Sequence, residues 1–365
     1  MKKALYFFQY LPPWKIDVFN GIAKNYDLTV VFFDINRNGF TYDREDLLRR
    51  LDGVGVEILD GGVNIAGHPF RNGIGRLLKS FRPDVVFVHE FSPVTVELVL
   101  QRRRFGYNLY LTTSDNLSMA RESHGLVRKV RDWVFRRVDG AIFYSKAVQD
   151  YYQNRFPLLR NLVCPNIQKP ETLLNYREYF PRLIPDLKKR FGIGESERII
   201  LYIGRLVQVK GLDLLLNAFA SAKLPETKLV LVGEGECREA LSRQAEALGI
   251  MDRVVFAGFL FGAELYAWYD MADFFILPSR LEPFGAVVNE ALVYGCPVVA
   301  SKNIGALDFL DSENGIVFDP EKADEFADAL SLASGRFHLA PSGPRESLMR
   351  VSFEEYLSAY LQIDQ

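Results

Sequence analysis

The stretch DFFILPSRLEPFGAVVNEALVYG, residues 273–295, joins an apolar run to an amphipathic run through a short polar loop. Residues 273–279 predict a buried strand, and residues 286–294 predict a short helix that ends at Gly295. Glu282 falls in the loop, and Glu290 falls just over one turn inside the helix. The N–H groups around Gly285 and Ala286, together with the helix dipole, favour an anion such as a diphosphate. The junction therefore predicts a site for a phosphorylated sugar, with an ordinary strand-to-helix turn as the alternative.

The same alternation of apolar and amphipathic runs extends over the rest of the chain. Strands are predicted in the first half at 4–8, 28–33, 56–59, 85–89, 108–112, 140–144 and 162–164. In the second half they are predicted at 199–203, 228–232, 254–256, 273–277, 297–300 and 315–318. This alternation is typical of doubly wound α/β domains with parallel sheets. Because 365 residues exceed the usual size of one core, two such domains are expected.

The polar composition around residue 166 places the boundary between the two domains. We predict an N-terminal Rossmann-like domain at 1–166, a linker at 167–197 that contains three prolines, and a C-terminal domain at 198–345. In the last segment, apolar residues at Phe353, Tyr356, Leu357 and Tyr360 have helical spacing. We expect this helix, residues 352–365, to cross back onto the first domain.

The composition favours a cytoplasmic protein without a metal. No apolar run approaches twenty residues, and the first residues lack a small-residue cleavage site. Cys164, Cys237 and Cys296 lie far apart in or beside apolar segments, so buried free thiols are expected. The four histidines show no ligand spacing, which predicts no metal site.

Charge is divided unevenly between the halves of the chain. Residues 1–165 carry 24 Lys and Arg against 17 Asp and Glu, whereas the remaining residues carry 20 against 29. A basic half on an acidic protein indicates an anionic partner. The nine cations within 102–137 are interleaved with Trp133, Val134 and Phe135. This pattern has two explanations. One is peripheral contact with an anionic membrane, which would be the inner face of the plasma membrane, and the other is a solvated helix that buries its aromatic residues. Nucleic acid is disfavoured, because the whole chain is acidic and shows no recognised binding module.

Two cations flank the turn that follows the first strand of the second domain. Gly204 ends this strand, Arg205 follows it, and Lys210 precedes the next helix. Such turns lie at the carboxyl edge of a parallel sheet, where ligands of open α/β folds bind. Arg205 and Lys210 are therefore candidate phosphate ligands, and solvated surface cations are the alternative.

The next two turns contribute weaker candidates at the same edge. Gly233 and Gly235 form a G-x-G without the third glycine of a dinucleotide fingerprint, so a tight turn is an adequate explanation. Phe259 and Leu260 follow the next strand, where an apolar wall for a nucleobase could stand, although for either residue alone core packing is the better explanation.

Four segments together resemble the retaining glycosyltransferases of family 4, also called glycosyl transferases group 1. They are GRLVQVKG (204–211), LVGEGE (231–236), the continuous stretch 254–301, and GIVFDP (315–320). The resemblance is strong over about 199–333, and the first domain matches only in layout. It implies a GT-B fold, with two Rossmann-like domains facing a cleft, the donor held mainly by the second domain and the acceptor by the first.

The resemblance also implies roles for individual residues. Arg205 and Lys210 would bind the diphosphate of the donor, Glu282 its sugar hydroxyls and Glu290 its ribose. Main-chain groups that contact the sugar and phosphate would come from Phe284, Gly285, Ala286 and Val287. Gly204, Gly233, Phe259 and Leu260 would complete the donor site, which would hold a UDP-sugar, a GDP-sugar or another nucleoside-diphosphate sugar. The absence of an Asp-x-Asp sequence fits a reaction without a metal or other cofactor.

The first domain departs from the family pattern at two places. Its first loop carries Trp14 and Lys15 where many members have a glycine pair, and LTTSDNLS (111–118) lacks the family histidine. Asp115 is our candidate replacement for that histidine. Trp14, Lys15, His89 and Glu90 are candidate acceptor contacts, with a surface Trp-Lys pair and a structural histidine as alternatives.

The function implied is transfer of a sugar, with retention, to a hydroxyl of a glycan or lipid-linked acceptor. Polysaccharide, capsule or lipopolysaccharide biosynthesis would fit. A GT-B sugar-nucleotide epimerase or hydrolase, and an inactive nucleotide-sugar-binding protein, are the alternatives.

Overall fold

The computed structural model describes residues 1–33, 43–65, 68–338 and 344–364. The chain forms two compact units. The amino-terminal unit comprises Met1–Gln168 and Val351–Gln365, and the carboxyl-terminal unit comprises Lys169–Arg350. Each unit is a doubly wound α/β domain, as the sequence predicts.

The amino-terminal unit is built on a seven-stranded sheet in which every neighbouring pair is parallel. Its strands are β1 (Lys2–Phe8), β2 (Tyr26–Phe32), β3 (Val54–Ile58), β6 (Val85–His89), β7 (Asn108–Thr113), β8 (Gly140–Phe143) and β9 (Arg160–Val163). Their order in the sheet is β3-β2-β1-β6-β7-β8-β9. The order reverses between β1 and β6, and ligands of such folds bind at the carboxyl ends of strands at this switch point.

A separate hairpin, β4 (Gly62–Ile65) and β5 (His68–Arg71), pairs antiparallel. The sequence does not predict it. All four residues of β4 are exposed, so they lack the alternation of buried and exposed positions by which a half-buried strand is recognised.

Helices fill the connections of this unit. They are α1 (Ile16–Ala23), α2 (Arg44–Arg49), α3 (Ile74–Phe81), α4 (Pro93–Phe105), α5 (Leu117–Glu122), α6 (Gly125–Phe135) and α7 (Lys146–Arg155). Helix α4 shows why such segments begin and end where they do. Ser92 and Thr95 form a capping box at its start, and Gly106 ends it with φ of 76°.

The carboxyl-terminal unit has a six-stranded parallel sheet in the order β12-β11-β10-β13-β14-β15. Its strands are β10 (Arg198–Ile203), β11 (Thr227–Val232), β12 (Val254–Gly258), β13 (Phe274–Leu277), β14 (Val298–Ser301) and β15 (Gly315–Phe318). The order reverses between β10 and β13. The loops after these two strands contain the cations and the glutamates singled out in the sequence.

The helices of this unit begin with residues that the sequence assigns to a linker. They are α8 (Pro170–Leu174), α9 (Phe180–Phe191), α10 (Leu212–Ala222), α11 (Arg238–Ala247), α12 (Gly262–Met271), α13 (Ala286–Val293) and α14 (Ala323–Arg336). Leu173, Phe180 and Leu187 are buried, and Arg177 between the first two helices pairs with Asp270 at 3.1 Å. Most of the predicted linker at 167–197 is thus helical and packed, because it carries apolar residues as well as prolines.

The last helix, α15 (Phe353–Leu361), belongs to the amino-terminal unit, which confirms the expected crossing back. Its Tyr360 is fully buried, and the Tyr360 hydroxyl lies 3.0 Å from the Tyr6 hydroxyl on β1. A 3-10 turn at Gln362–Asp364 follows, and residue 365 of the predicted helix lies outside the described residues. Within the described parts of the chain, no helix is both long and apolar enough to cross a bilayer.

Candidate active site

The carboxyl edge of the second sheet is shaped by two glycines that allow two loops to touch. Gly204 follows β10 with φ of 156°, and Gly233 follows β11 with φ of 138°. A Cβ atom at Gly233 would lie 2.0 Å from the Gly204 carbonyl oxygen. The loop that carries Arg205 is therefore held against the neighbouring loop by a contact that only glycine permits.

Gly233→Ala should destabilise the carboxyl-terminal unit by more than about 2 kcal/mol, because both the clash and the positive φ oppose the new methyl group. Urea unfolding measures this, and a sugar-nucleotide titration should show weakened binding at the same edge. Gly335→Ala on α14 is the control, because a Cβ atom there meets nothing within 4 Å. A Gly233→Ala protein as stable as the control would contradict the packing described.

Lys210 and Glu282 form an ion pair at this edge. Lys210 closes a 3-10 turn at Gln208–Lys210 after β10, and Glu282 lies in the loop after β13. Their side chains are only 14% and 13% exposed. Backbone contacts hold Glu282, whose N–H donates to Asn303 O at 3.2 Å and which forms a β-bridge with Ile304. The ammonium and carboxylate groups are therefore held in place and shielded from bulk water, which strengthens their interaction.

Arg205 presents an exposed side chain beside this pair. Its carbonyl oxygen accepts from the Tyr202 hydroxyl at 3.0 Å. Burial, reinforced by the Glu282 carboxylate and opposed by the Arg205 guanidinium, raises the pKa of Tyr202 well above its ordinary value. One phenol thus interacts electrostatically with both groups, so Arg205, Lys210 and Glu282 belong to a single cluster of charges.

Arg280 is a positioning residue that the sequence does not reveal. Its N–H donates to Val209 O at 2.9 Å, and its guanidinium donates to Gln208 O at 3.0 Å. The same guanidinium binds both carboxylate oxygens of Asp213, at 2.7 and 2.8 Å. Arg280 therefore fastens the loop of Glu282 to the turn of Lys210. The only signal in the sequence that could have pointed to this role is the position of Arg280, two residues before Glu282.

Helix α13 begins next to Glu282. Gly285 precedes it with φ of 97°, a conformation that favours glycine, and no side chain caps this end. The N–H groups of Ala286 and Val287 in the first turn have no acceptor within the helix. Phe284 is buried against Phe309, with ring centroids 5.6 Å apart. The junction thus supplies the anion-favouring helix end that the sequence predicts.

Glu290 lies further along α13 and is 8% exposed. Its carboxylate accepts a hydrogen bond from the Tyr269 hydroxyl at 3.0 Å. Burial, and then the charge of Glu290, raise the pKa of Tyr269 well above its ordinary value. Tyr269 therefore stays a hydrogen-bond donor and orients the carboxylate.

Phe259 and Leu260 differ sharply in exposure. Leu260 is buried at 7% exposure and belongs to the core, whereas Phe259 is 57% exposed. The Phe259 ring is stacked against Phe261, with centroids 6.4 Å apart. Phe259 is therefore the one of the two whose side chain a planar ligand can reach, and Leu260 packs into the core.

The candidate acceptor residues lie at the carboxyl edge of the amino-terminal sheet, and Lys15 is fully buried there. Its Nζ donates to the Tyr144 hydroxyl and to Asn166 Oδ1, both at 3.3 Å, and lies 4.8 Å from the Tyr144 ring centre. Burial lowers the pKa of Lys15 to about 8. The alternative of a surface Trp-Lys pair is thus wrong for Lys15, whereas Trp14 beside it is half-buried.

Lys15→Met should change how stability depends on pH. Because the folded pKa of about 8 lies below the ordinary 10.5, the unfolded chain binds more protons between these values. The charged lysine therefore costs about 3 kcal/mol at pH 7, and this cost disappears as pH rises from 8 to 10.5. The variant's stability relative to wild type should fall by about 2 kcal/mol or more between pH 7 and pH 10. Urea unfolding at both pH values measures the difference, and a constant difference would contradict it.

His89 lies between aromatic rings at the end of β6. It stacks on Phe8 with centroids 4.2 Å apart, and its Nδ1 is 3.0 Å from Thr112 Oγ1. Burial, and then the charge of Lys15, hold the pKa of His89 well below its ordinary value. The imidazole is therefore neutral near pH 7. Its Nε2 lies 3.4 Å from Glu90 Oε1.

Glu90 adopts φ of 65°, which is rare for a residue other than glycine. Its carboxylate accepts from the Ser114 N–H at 2.8 Å, the Ser114 hydroxyl at 2.6 Å and the Thr113 hydroxyl at 3.1 Å. These bonds hold the loop that replaces the family histidine. Strained backbone of this kind is concentrated at functional sites, which keeps Glu90 a candidate.

Asp115 is 3% exposed and pairs with Arg131 of α6 at 2.6 Å. Burial, and then the nearby Glu90 charge, raise its pKa to about 6 despite the opposing effect of Arg131. Asp115 is thus tied into the protein, and its proposed contact with a sugar or acceptor stays a prediction. In the described residues no group of three His, Cys, Asp or Glu side chains could hold a metal ion.

The structure therefore gathers the predicted site residues at two edges. Those predicted to bind the donor lie around the loops after β10, β11, β12 and β13 of the carboxyl-terminal unit. Those predicted to bind the acceptor, together with Asp115, lie around β1, β6 and β7 of the amino-terminal unit.

Two family models match the chain in succession. The model of Glycosyltransferase Family 4 matches residues 21–166, and that of Glycosyl transferases group 1 matches residues 184–334. Together they account for most of the chain, so it belongs to the family 4, group 1 glycosyltransferases, as the resemblance in its motifs implies.

Curated relatives match over part of their length. The GDP-mannose-dependent alpha-(1-6)-phosphatidylinositol monomannoside mannosyltransferase of Mycolicibacterium smegmatis is 35% identical over 154 residues, 40% of this chain and 40% of that protein. The lipopolysaccharide core biosynthesis glycosyltransferase LpsE of Rhizobium meliloti is 35% identical over 170 residues, 45% of this chain and 49% of that protein. The matched region thus spans less than half the length of these relatives.

Among solved structures, HepE of Anabaena in complex with UDP and glucose has a TM-score of 0.69. The match covers 93% of this chain and 96% of HepE, at 21% sequence identity. Likeness at this identity establishes the fold, which is GT-B with two Rossmann-like domains.

Proposed function

We propose that this protein is a retaining glycosyltransferase that moves a sugar from a nucleoside diphosphate to a hydroxyl of a glycan or lipid-linked acceptor. One observation carries the proposal. The Lys210–Glu282 ion pair, the exposed Arg205 and the start of α13 converge at the switch point of the second sheet. This is the position at which open α/β sheets bind nucleotides.

The charges of this cluster suit the departure of a diphosphate. When the bond between the sugar and the diphosphate breaks, negative charge grows on the departing phosphate oxygens. Lys210, which is held by its ion pair, and the N–H groups of α13 are fixed donors near that charge, so they stabilise it with little reorganisation. The exposed Arg205 adds a second cation at the same edge. Protein cations thus take the place of a metal ion, and the reaction needs no cofactor.

Glu282 is assigned to the sugar and Glu290 to the ribose. A carboxylate can accept hydrogen bonds from two hydroxyls, and the backbone of Glu282 is held by Asn303 and Ile304 next to the start of α13. Retention follows from attack on the face that the diphosphate leaves, with the acceptor proton passing to the departing phosphate. Glu282 then positions the sugar and forms no covalent bond with it.

The acceptor is a glycan or a lipid-linked glycan, bound by the amino-terminal unit. The excess of Lys and Arg in this unit supports an anionic acceptor or an anionic membrane surface. The named relatives act in lipopolysaccharide core biosynthesis and on a phosphatidylinositol mannoside. Assembly of a polysaccharide, capsule or lipopolysaccharide is the corresponding pathway.

Thermal unfolding with UDP-glucose, UDP-N-acetylglucosamine, GDP-mannose, UDP and GDP tests the donor. The preferred sugar nucleotide should stabilise the protein by about 2.7 kcal/mol when present at about 100 times its Kd. The matching nucleoside monophosphate is the control, because it lacks the second phosphate that Lys210 and Arg205 bind. If none of these stabilises the protein, ADP-, CDP- and dTDP-sugars extend the panel, and failure of every nucleoside-diphosphate sugar in the extended panel would contradict the proposal.

A further inference from the structure

An apolar groove of about 870 Å³ lies on the surface of the amino-terminal unit. Its walls come from the hairpin β4–β5, from the start of α4 and from α6. The residues that matter most for its character are Ile65, Phe70, Phe91, Leu100, Leu126 and Val127. A smaller hollow of about 320 Å³ shares Val96, Leu100 and Val130 with it and adds Trp133, so the apolar surface continues along α6.

The apolar side chains of this groove are unusually exposed. Leu126 is 76% exposed, Leu100 67%, Val127 58%, Ile65 57% and Phe70 45%. Nothing in the described parts of the chain covers them. Isolated exposed apolar residues are normal, but a contiguous group of this kind indicates a surface that binds something.

Cations accompany the groove. Arg71 and Arg131 line it, and the Nε atoms of both are buried without an acceptor among the described residues. The charge of Arg131 is met by its ion pair with Asp115, so the excess positive charge comes from Arg71 and from the neighbouring cations of α6. On α6, Arg128 and Lys129 follow directly after Leu126 and Val127, and both are exposed. The one carboxylate in the lining is Glu97, which accepts from Gln101 Nε2 at 2.6 Å and whose pKa is raised by burial. The groove thus combines hydrocarbon surface with an excess of positive charge.

We propose that this groove is a docking site for the hydrocarbon chain of an anionic membrane lipid. The apolar walls hold the chain, and the cations of α6 meet the phosphate headgroups around it. Charge complementarity selects this occupant over a neutral apolar partner, because basic residues beside apolar side chains are the combination that anionic bilayers bind. The inference deepens the acceptor part of the proposed function, since it brings the protein to the surface where a lipid-linked acceptor resides.

Vesicle sedimentation tests the proposal with the full chain. The probes are vesicles of phosphatidylcholine alone and vesicles with about a third phosphatidylglycerol, and the anionic vesicles should bind at least about tenfold more tightly. The double variant Leu126→Gln/Val127→Asn keeps the charge and should weaken this binding at least about fivefold. The double variant Arg128→Gln/Lys129→Gln should weaken it similarly and reduce its dependence on salt.

Matched controls lie on the other unit. Leu332→Gln removes a 57% exposed leucine from α14, and Lys189→Gln/Arg243→Gln removes two exposed cations. Both should bind anionic vesicles as the wild type does. Inorganic phosphate at matched ionic strength should leave vesicle binding unchanged, because a free anion does not fill the groove.

Three outcomes would overturn the proposal. The first is failure of the wild type to bind anionic vesicles, and the second is unchanged vesicle binding by Leu126→Gln/Val127→Asn. The third is a wild-type dimer that this variant dissociates, because the groove would then be occupied by a second copy of the chain. Thermal stabilisation by the preferred sugar nucleotide, measured on the same variants, should stay at the wild-type value. Loss of vesicle binding with intact nucleotide binding is thereby distinguished from failure of the proposed transferase function.

Discussion

Lys210→Ala should lower the turnover of sugar transfer by about 10²- to 10³-fold, the effect expected when one fixed donor to a developing negative charge is removed. Lys210 is largely buried and paired with Glu282. Its loss removes a cation from the departing diphosphate and leaves the Glu282 carboxylate without its partner. Binding of the nucleoside diphosphate should weaken about tenfold, because a charge-assisted hydrogen bond is lost.

Release of nucleoside diphosphate from the preferred donor measures the turnover, and calorimetry measures the affinity. Lys228→Ala is the matched control. Lys228 pairs with Glu197 at 3.4 Å and is 16% exposed, but it lies near the start of β11, at the opposite edge of the same sheet. The control should keep wild-type turnover. A Lys210→Ala protein with wild-type turnover would remove Lys210 from the mechanism.

Glu282→Gln should lower turnover by about 10²- to 10³-fold while the Kd for nucleoside diphosphate changes by less than about threefold. Glutamine keeps the size of the side chain but is a poorer acceptor for sugar hydroxyls and lacks the charge that holds Lys210. Since the carboxylate is assigned to the sugar and not to the phosphates, its loss acts on the reaction more than on nucleotide binding.

The same two assays decide this assignment, with Glu197→Gln as the control at the far edge of the sheet. Equal losses of turnover and of nucleotide affinity would show that Glu282 holds the nucleotide, and the roles assigned to Glu282 and Glu290 would then have to be exchanged. Full activity of Glu282→Gln would show that neither the binding of the sugar nor the position of Lys210 depends on the charge of Glu282.

The architecture was predictable from local patterns, because buried parallel strands read as apolar runs wherever they occur. Each predicted strand of the two large sheets corresponds to an observed one. The hairpin at Gly62–Ile65 and His68–Arg71 was not predicted, because an exposed strand has no buried face and its sequence therefore shows no alternation of apolar and polar residues. The helices in the predicted linker were not predicted, because prolines such as those at 170, 181 and 185 are usually signs that no helix forms. Pro170 and Pro181 lie in the first turns of helices, where proline is tolerated.

The gathering of the candidate donor residues at one edge was predictable, because they lie in short loops after successive strands and parallel strands bring such loops together. Their binding of a donor stays a prediction. The side-chain contacts that position those residues could not be predicted from the sequence. Arg280 reaches Asp213 across 67 positions, and Asp115 reaches Arg131 across 16. The complete burial of Lys15 could not be predicted from the sequence either, because Tyr144 and Asn166 lie near its amine only in the folded chain.

Isothermal titration of the wild type and of Arg205→Ala/Lys210→Ala with UDP-glucose and GDP-mannose tests the central claim most directly. The claim is that the carboxyl edge of the second sheet holds the diphosphate of a sugar nucleotide through these two cations. The wild type should bind at least one of the two donors, and the double variant should bind it at least about 100-fold more weakly, since each charged contact contributes about 1.5 kcal/mol or more. Undiminished affinity in the double variant, with wild-type thermal stability, would contradict the claim.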